Sequence, residues 1–267
     1  MLGNRLRAFA ACNLVMLKHN LLPLDKRPWL IFLLPFLVFM LVGTLEPASE
    51  GSASSHFSLG IPYAWYPLVY TLKIVLTLAA IVLVMPGYRQ FPLRLSPWAI
   101  AVGSGGAVIW IVLCTIGLPA TKWLADISSL PWLAGLGARA AYNPFEQLGD
   151  HAPLAWCFLA VRLLGLACVV PLIEEFFLRG FLMRFVIDAH WWEVPFGKLT
   201  ALAVAASIVA PALSHPWTEL GAVIAWFSLV TWLMAKTKNI WDCVAAHAVT
   251  NLLLGIYVLL SGQWWLW

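Results

Sequence analysis

Seven apolar segments, near residues 29–45, 62–85, 97–118, 153–187, 198–214, 219–236 and 240–261, make up most of this chain. A helix needs about 20 apolar residues to cross a bilayer, and six of the segments are near that length. The fourth is too long for one simple span. Backbone groups inside lipid must be satisfied within their own segment, which leaves helices as the economical solution. Composition agrees, with 62% hydrophobic and 10% charged residues against roughly 45–50% and 25% in soluble domains. The expected fold is therefore all-α, a polytopic integral membrane protein of seven to eight transmembrane helices around an intramembrane polar cavity. The eighth candidate, Ala8 to Leu17, is flanked by Arg5, Arg7 and Lys18 and reads as a short span or an interfacial helix.

No repeat or low-complexity linker divides the 267 residues, so one integral domain is expected. Residues 1–152 supply the N-terminal helices and a long surface loop, 119–152, and residues 153–261 the remaining helices. Arg5, Arg7, Lys18, Lys26 and Arg27 precede the first long segment, whereas 46–60 contains two Glu and no Lys or Arg. The positive-inside rule places the N-terminus in the cytoplasm. The net charge of +4 is spread over loops rather than gathered into a basic face, which excludes nucleic acid as a partner. Five scattered cysteines without a CxxC pair indicate neither a disulfide framework nor a thiolate metal centre.

Polar residues inside the apolar segments carry the functional information. Glu174, Glu175 and Arg179 lie within Pro171-Leu-Ile-Glu-Glu-Phe-Phe-Leu-Arg-Gly180, followed by His215 and then His247 and Asn251. An ionisable side chain near the bilayer centre costs roughly 2.5–3.5 kcal/mol on insertion scales and usually marks a cavity or reaction site. At 1.5 Å per residue, Glu174 lies about 20 Å above the end of its helix near Asp188, and His215 about 25 Å above Lys198 on the next, antiparallel one. His247 and Asn251 lie roughly 10 and 17 Å in from Ile240 on the same scale, so one site built from three helices is feasible. Residues four apart share a helix face, which pairs Glu175 with Arg179 and His247 with Asn251. Glu174 points about 100° away from Glu175. The expected division is that Arg179 neutralises Glu175 while Glu174 faces the cavity as a general base on water.

These residues resemble the CAAX protease and bacteriocin-processing group of intramembrane glutamic proteases, which includes the Ras-converting CAAX prenyl endopeptidase. The group's EExxxR, FxxxH and HxxxN motifs read here as Glu174-Glu175-Phe-Phe-Leu-Arg179, Pro211-Ala-Leu-Ser-His215 and His247-Ala-Val-Thr-Asn251, with Pro211 in place of the usual Phe. The N-terminal half is similar to CAAX protease-related proteins of bacterial exosortase systems through Arg139 and Tyr142-Asn143-Pro144-Phe145. The narrower likeness implies a bacterial inner membrane.

The resemblance implies an intramembrane endopeptidase that hydrolyses membrane-associated or lipidated protein substrates. Glu174 would be the general base, His215 would orient and polarise the water, and His247 and Asn251 would form the oxyanion hole. Glu175 and Arg179 would hold the first helix of the site. No cofactor is implied. Zinc on two His and a Glu is the alternative, although the HExxH spacing of common zinc peptidases is absent. The alternative from another class is a non-hydrolytic protein, either a proton-coupled transporter or a scaffold or immunity protein. A transporter would spread polar sites over both halves of the chain, whereas here they gather in one.

Overall fold

The computed structural model describes residues 27–47, 60–127, 141–149 and 151–267. The candidate helix Ala8–Leu17, Arg139 and most of the basic residues before the first span lie outside them. The described residues form an all-α membrane bundle. Its helices are α1 (Pro28–Gly43), α2 (Tyr66–Tyr88), α3 (Pro97–Ile127), the short α4 (Pro144–Gln147), α5 (Ala152–Phe185), α6 (Ala201–Ala212), α7 (Leu220–Thr237) and α8 (Ile240–Ser261). Among the described residues, five apolar stretches are long enough to cross a membrane: Tyr63–Tyr88, Pro97–Ile116, Ala152–Phe185, Leu220–Thr237 and Ile240–Ser261. α1 starts with a proline in its first turn, as sequence rules suggest, and α7 stops at Lys238, which adopts the left-handed region usual for glycine, φ 50°.

Two expectations change. Residues 119–127 continue α3 instead of opening a loop, because helix propagation does not stop where an apolar run ends. The segment 198–214 is not one long span: α6 has 12 residues, starts after the Thr200 cap and stops at Ala212. The helix expected to carry His215 therefore ends short of it: His215 lies in the bend beyond α6, where it still lines one cavity with Glu174.

The fourth apolar segment is one continuous helix with two π turns, Gly165–Val169 and Phe176–Leu182. α5 is the wall shared by two apolar cores. Leu159, Leu178 and Met183 join the core of α3, α7 and α8, whereas Phe158, Ile173 and Phe176 join that of α1 and α2. α3 approaches α7 and α8 closely because it presents glycine there. A Cβ at Gly103 would lie 2.7 Å from the Ala246 carbonyl oxygen, and one at Gly106 2.8 Å from the Trp226 indole. The outward face of α2 exposes Leu68, Leu72, Val75, Val82 and Leu83, as a lipid-facing surface does.

Three connections gather at one end of the bundle. Asn239 Nδ2 donates to the Arg94 carbonyl at 2.6 Å, Ser96 N and Oγ donate to Asp242 at 2.8 and 3.0 Å, and the Phe91 and Phe196 rings lie 6.2 Å apart. Tyr66, Tyr142 and Phe158 pack together at the other end.

Candidate active site

A cavity of about 1190 Å³ opens between the two cores, lined by Glu174, His215, His247 and Asn251 together with Trp110 and Trp226. Four of the six residues singled out by sequence thus share one cavity. Glu175 and Arg179 do not line it; both are fully buried behind the wall.

The α5 helix separates the two glutamates. Glu175 turns into the protein and forms an ion pair with Arg179. Two other nitrogens of Arg179, Nε and Nη2, find no acceptor among the described residues. The guanidinium instead lies 5.8 Å from the centre of the Phe227 ring. Removing either partner of such a pair leaves an uncompensated buried charge, which costs about 3–5 kcal/mol.

Glu175 has a second partner that sequence reasoning did not anticipate: its Oε1 lies 3.0 Å from His247 Nδ1. A carboxylate only accepts hydrogen bonds, so Nδ1 carries the proton. Nε2 then offers a lone pair in the neutral ring and an N–H only in the imidazolium. The imidazole is further fixed by the Trp226 ring, 4.5 Å between centroids. Trp226 Nε1 donates to Thr250 Oγ1 at 3.0 Å, and that hydroxyl reaches the Gly103 and Ala246 carbonyls at 2.8 and 3.0 Å.

The same reasoning fixes His215. Its Nδ1 lies 2.8 Å from the Pro211 carbonyl, which also only accepts, so in the neutral ring Nε2 is a base. The residue at the first position of the FxxxH motif thus acts through its backbone, and proline leaves that carbonyl intact. Trp110 packs against the His215 ring at 5.6 Å.

Asn251 Nδ2 donates to the Leu166 carbonyl at 2.7 Å. In the π turn, Val170 N–H reaches back five residues to Gly165. The next donor in that register is residue 171, a proline without an N–H, and Asn251 supplies the donor that Pro171 lacks. One amide N–H and the Oδ1 of Asn251 remain for the cavity.

The cavity continues to a second polar region with Lys73, Arg162, Tyr63, Tyr66 and Tyr142. Lys73, near the middle of α2, is paired with Glu46 and lies 4.2 Å from the centre of the Phe39 ring. Burial pushes the Tyr142 phenol up to about 12, against the pull of the Arg162 charge, so it is a neutral hydroxyl. Nothing in the local sequence marked Trp226, Thr250, Tyr63 or Tyr66, because their positions depend on helix packing.

Among the described residues, no three His, Cys, Asp or Glu side chains are grouped to hold a metal ion. Residues 156–253 match the family described as type II CAAX prenyl endopeptidase Rce1-like. No curated protein and no solved structure matches the chain. The matched segment begins in α5, ends in α8 and contains all six residues of the three motifs. Over this segment the chain is similar to that family of membrane endopeptidases.

Proposed function

We propose that the protein is an intramembrane endopeptidase that cleaves membrane-associated or lipidated polypeptides with water activated by Glu174 and His215. The observation that carries this reading is the shared cavity: Glu174, His215 and His247 line one space inside an apolar bundle, with Nδ1 of each ring already engaged. Glu174 takes a proton from the water as its oxygen attacks the peptide carbonyl, and His215 Nε2 orients that water. The proton then passes to the departing amine. His247, as imidazolium, and the remaining N–H of Asn251 stabilise the oxyanion, a contribution of about 2.7–4 kcal/mol per donor in acyl-transfer sites. Glu175 and Arg179 serve the site by holding the His247 ring.

The reaction so described uses no resident metal, which fits a Glu175 already committed to Arg179 and His247. We place the N-terminus in the cytoplasm of a bacterial inner membrane. The connection carrying Arg89 and Arg94 lies beside the one carrying Lys236 and Lys238 at one end of the bundle, which supports that orientation. The test is a comparison of membrane peptides in cells expressing the wild type or Glu174→Gln. New protein termini confined to the wild type support the reading; identical peptide sets overturn it.

A further inference from the structure

Trp110 carries a buried polar hydrogen that the proposed chemistry does not use. It lines the cavity at 7% exposure, and its Nε1 has no hydrogen-bond partner among the described residues. The nitrogen is itself buried, so bulk water does not satisfy it. An indole N–H only donates, and a buried donor without an acceptor bears the full cost of its desolvation. Native proteins seldom keep such a group without a use for it. The other buried donors without acceptors among the described residues, on Tyr88, Arg179 and Trp191, do not line the cavity. Trp226, the neighbouring cavity tryptophan, has already given its N–H to Thr250. Trp110 stands one helical turn beyond Gly106 on α3, where a Cβ would meet the Trp226 indole. Its ring centroid lies 5.6 Å from that of His215, which also meets the Phe227 ring at 6.2 Å.

The chemistry at His215 supplies the missing acceptor. Its Nδ1 is engaged by the Pro211 carbonyl, so Nε2 of the neutral ring accepts, and the Glu174 carboxylate accepts as well. A water held by both therefore donates its two hydrogens, and its oxygen keeps two lone pairs. One of them attacks the peptide carbonyl; the other is open to a donor. His247 and Asn251, both on α8, are assigned to the carbonyl oxygen, which leaves the water without one. We propose that Trp110 Nε1 donates to the oxygen of the water activated by Glu174 and His215, which makes Trp110 a third residue of the water site and one that lies outside the matched segment 156–253. This rests on the endopeptidase reading. As the O–C bond forms from the free lone pair, one water hydrogen passes to Glu174 and the indole keeps its own. The ring contact serves the same end by steadying an imidazole that sits in a bend beyond α6.

The experiment uses the full-length protein in phosphatidylcholine nanodiscs and the N-terminally acylated decapeptide that the wild type cleaves fastest in a random library. Trp110→Phe keeps an aromatic ring and removes the N–H. Introducing 3-benzothienylalanine at position 110 keeps the whole bicyclic shape with sulfur in place of the N–H, which decides the question if Trp110→Phe fails to fold. Both are expected to lower kcat about tenfold, the worth of one neutral hydrogen bond at the reacting atom, with KM within about twofold of the wild type. Trp110→Leu, which also removes the contact with His215, lowers kcat further. A kcat within about threefold of the wild type in the folded variants, at unchanged KM, overturns the donor role and leaves the peptidase reading standing. A rise in KM with kcat unchanged assigns the N–H to the bound chain and overturns the donor role as well. A fall in kcat beyond about a hundredfold is the size of a lost oxyanion donor; it moves the N–H to the peptide oxygen and overturns the assignment to water. Cleavage of no peptide by the wild type overturns the peptidase reading and the donor role together.

Discussion

Glu175 Oε1 and His247 Nδ1, 72 positions apart in sequence, lie 3.0 Å apart in the buried wall of the cavity. The carboxylate that compensates Arg179 is thus also the group that sets the histidine tautomer. Glu175→Gln is expected to lower kcat by about 10–100-fold, the usual cost of losing an orienting partner. A glutamine can present either oxygen or NH₂ to Nδ1 and no longer selects one tautomer. Steady-state kinetics with a thermal melt in detergent checks this; unchanged kcat with intact folding argues against the orienting role.

Asn251 and Pro171 form a second linked pair. If Asn251 supplies the donor that Pro171 lacks, Asn251→Ala destabilises the fold by about 1 kcal/mol. Pro171→Ala, which restores an N–H in the π register, recovers part of that loss in the double variant. A thermal-melt double-mutant cycle measures the coupling, and additive effects refute it. Any fall in kcat that remains after the melt is restored measures what Asn251 does for the reaction itself.

Adjacent glycines in α3 give contrasting outcomes. Gly106→Ala puts a Cβ 2.8 Å from the Trp226 indole and 3.1 Å from Thr250 Oγ1. It is expected to cost about 1–3 kcal/mol by overpacking and to displace the ring that flanks His247. Gly105→Ala meets nothing within 4 Å, and removing a helix glycine favours folding by about 0.5–1 kcal/mol. Melting temperatures of the two variants in the same detergent should move in opposite directions.

Treatment with EDTA or 1,10-phenanthroline is expected to leave activity unchanged, because Glu174 and His215 act on water directly in the proposed mechanism. Loss of activity restored by zinc contradicts the metal-free reaction.

Much of this arrangement is legible in the sequence for identifiable reasons. The i,i+4 spacing foretells the Glu175–Arg179 pair, and the 100° offset foretells that Glu174 and Glu175 face different surroundings. Apolar segment lengths locate the helices because lipid leaves no other structure available. The link from Glu175 to His247 is not legible, since it depends on how α8 packs against α5. The Asn251–Leu166 bond is hidden too: Pro171 is visible in the sequence, but the π register that orphans the Leu166 carbonyl is set by tertiary packing. The apolar run 198–214 predicts a helix that reaches His215, whereas α6 stops at Ala212 and leaves the residue in a bend. Trp110 is visible as an aromatic residue in an apolar segment, whereas its lack of an acceptor among the described residues emerges only from the surroundings.

The central claim is that Glu174 and His215 activate water for peptide cleavage. The most direct measurement is the single-turnover cleavage rate of a bound peptide by purified Glu174→Gln and His215→Ala beside the wild type, with peptide affinity measured in parallel. The account predicts that both variants fold and bind the peptide within about threefold of the wild type while cleavage falls at least a thousandfold, somewhat over 4 kcal/mol of barrier. Cleavage by folded Glu174→Gln at a rate near the wild type contradicts it.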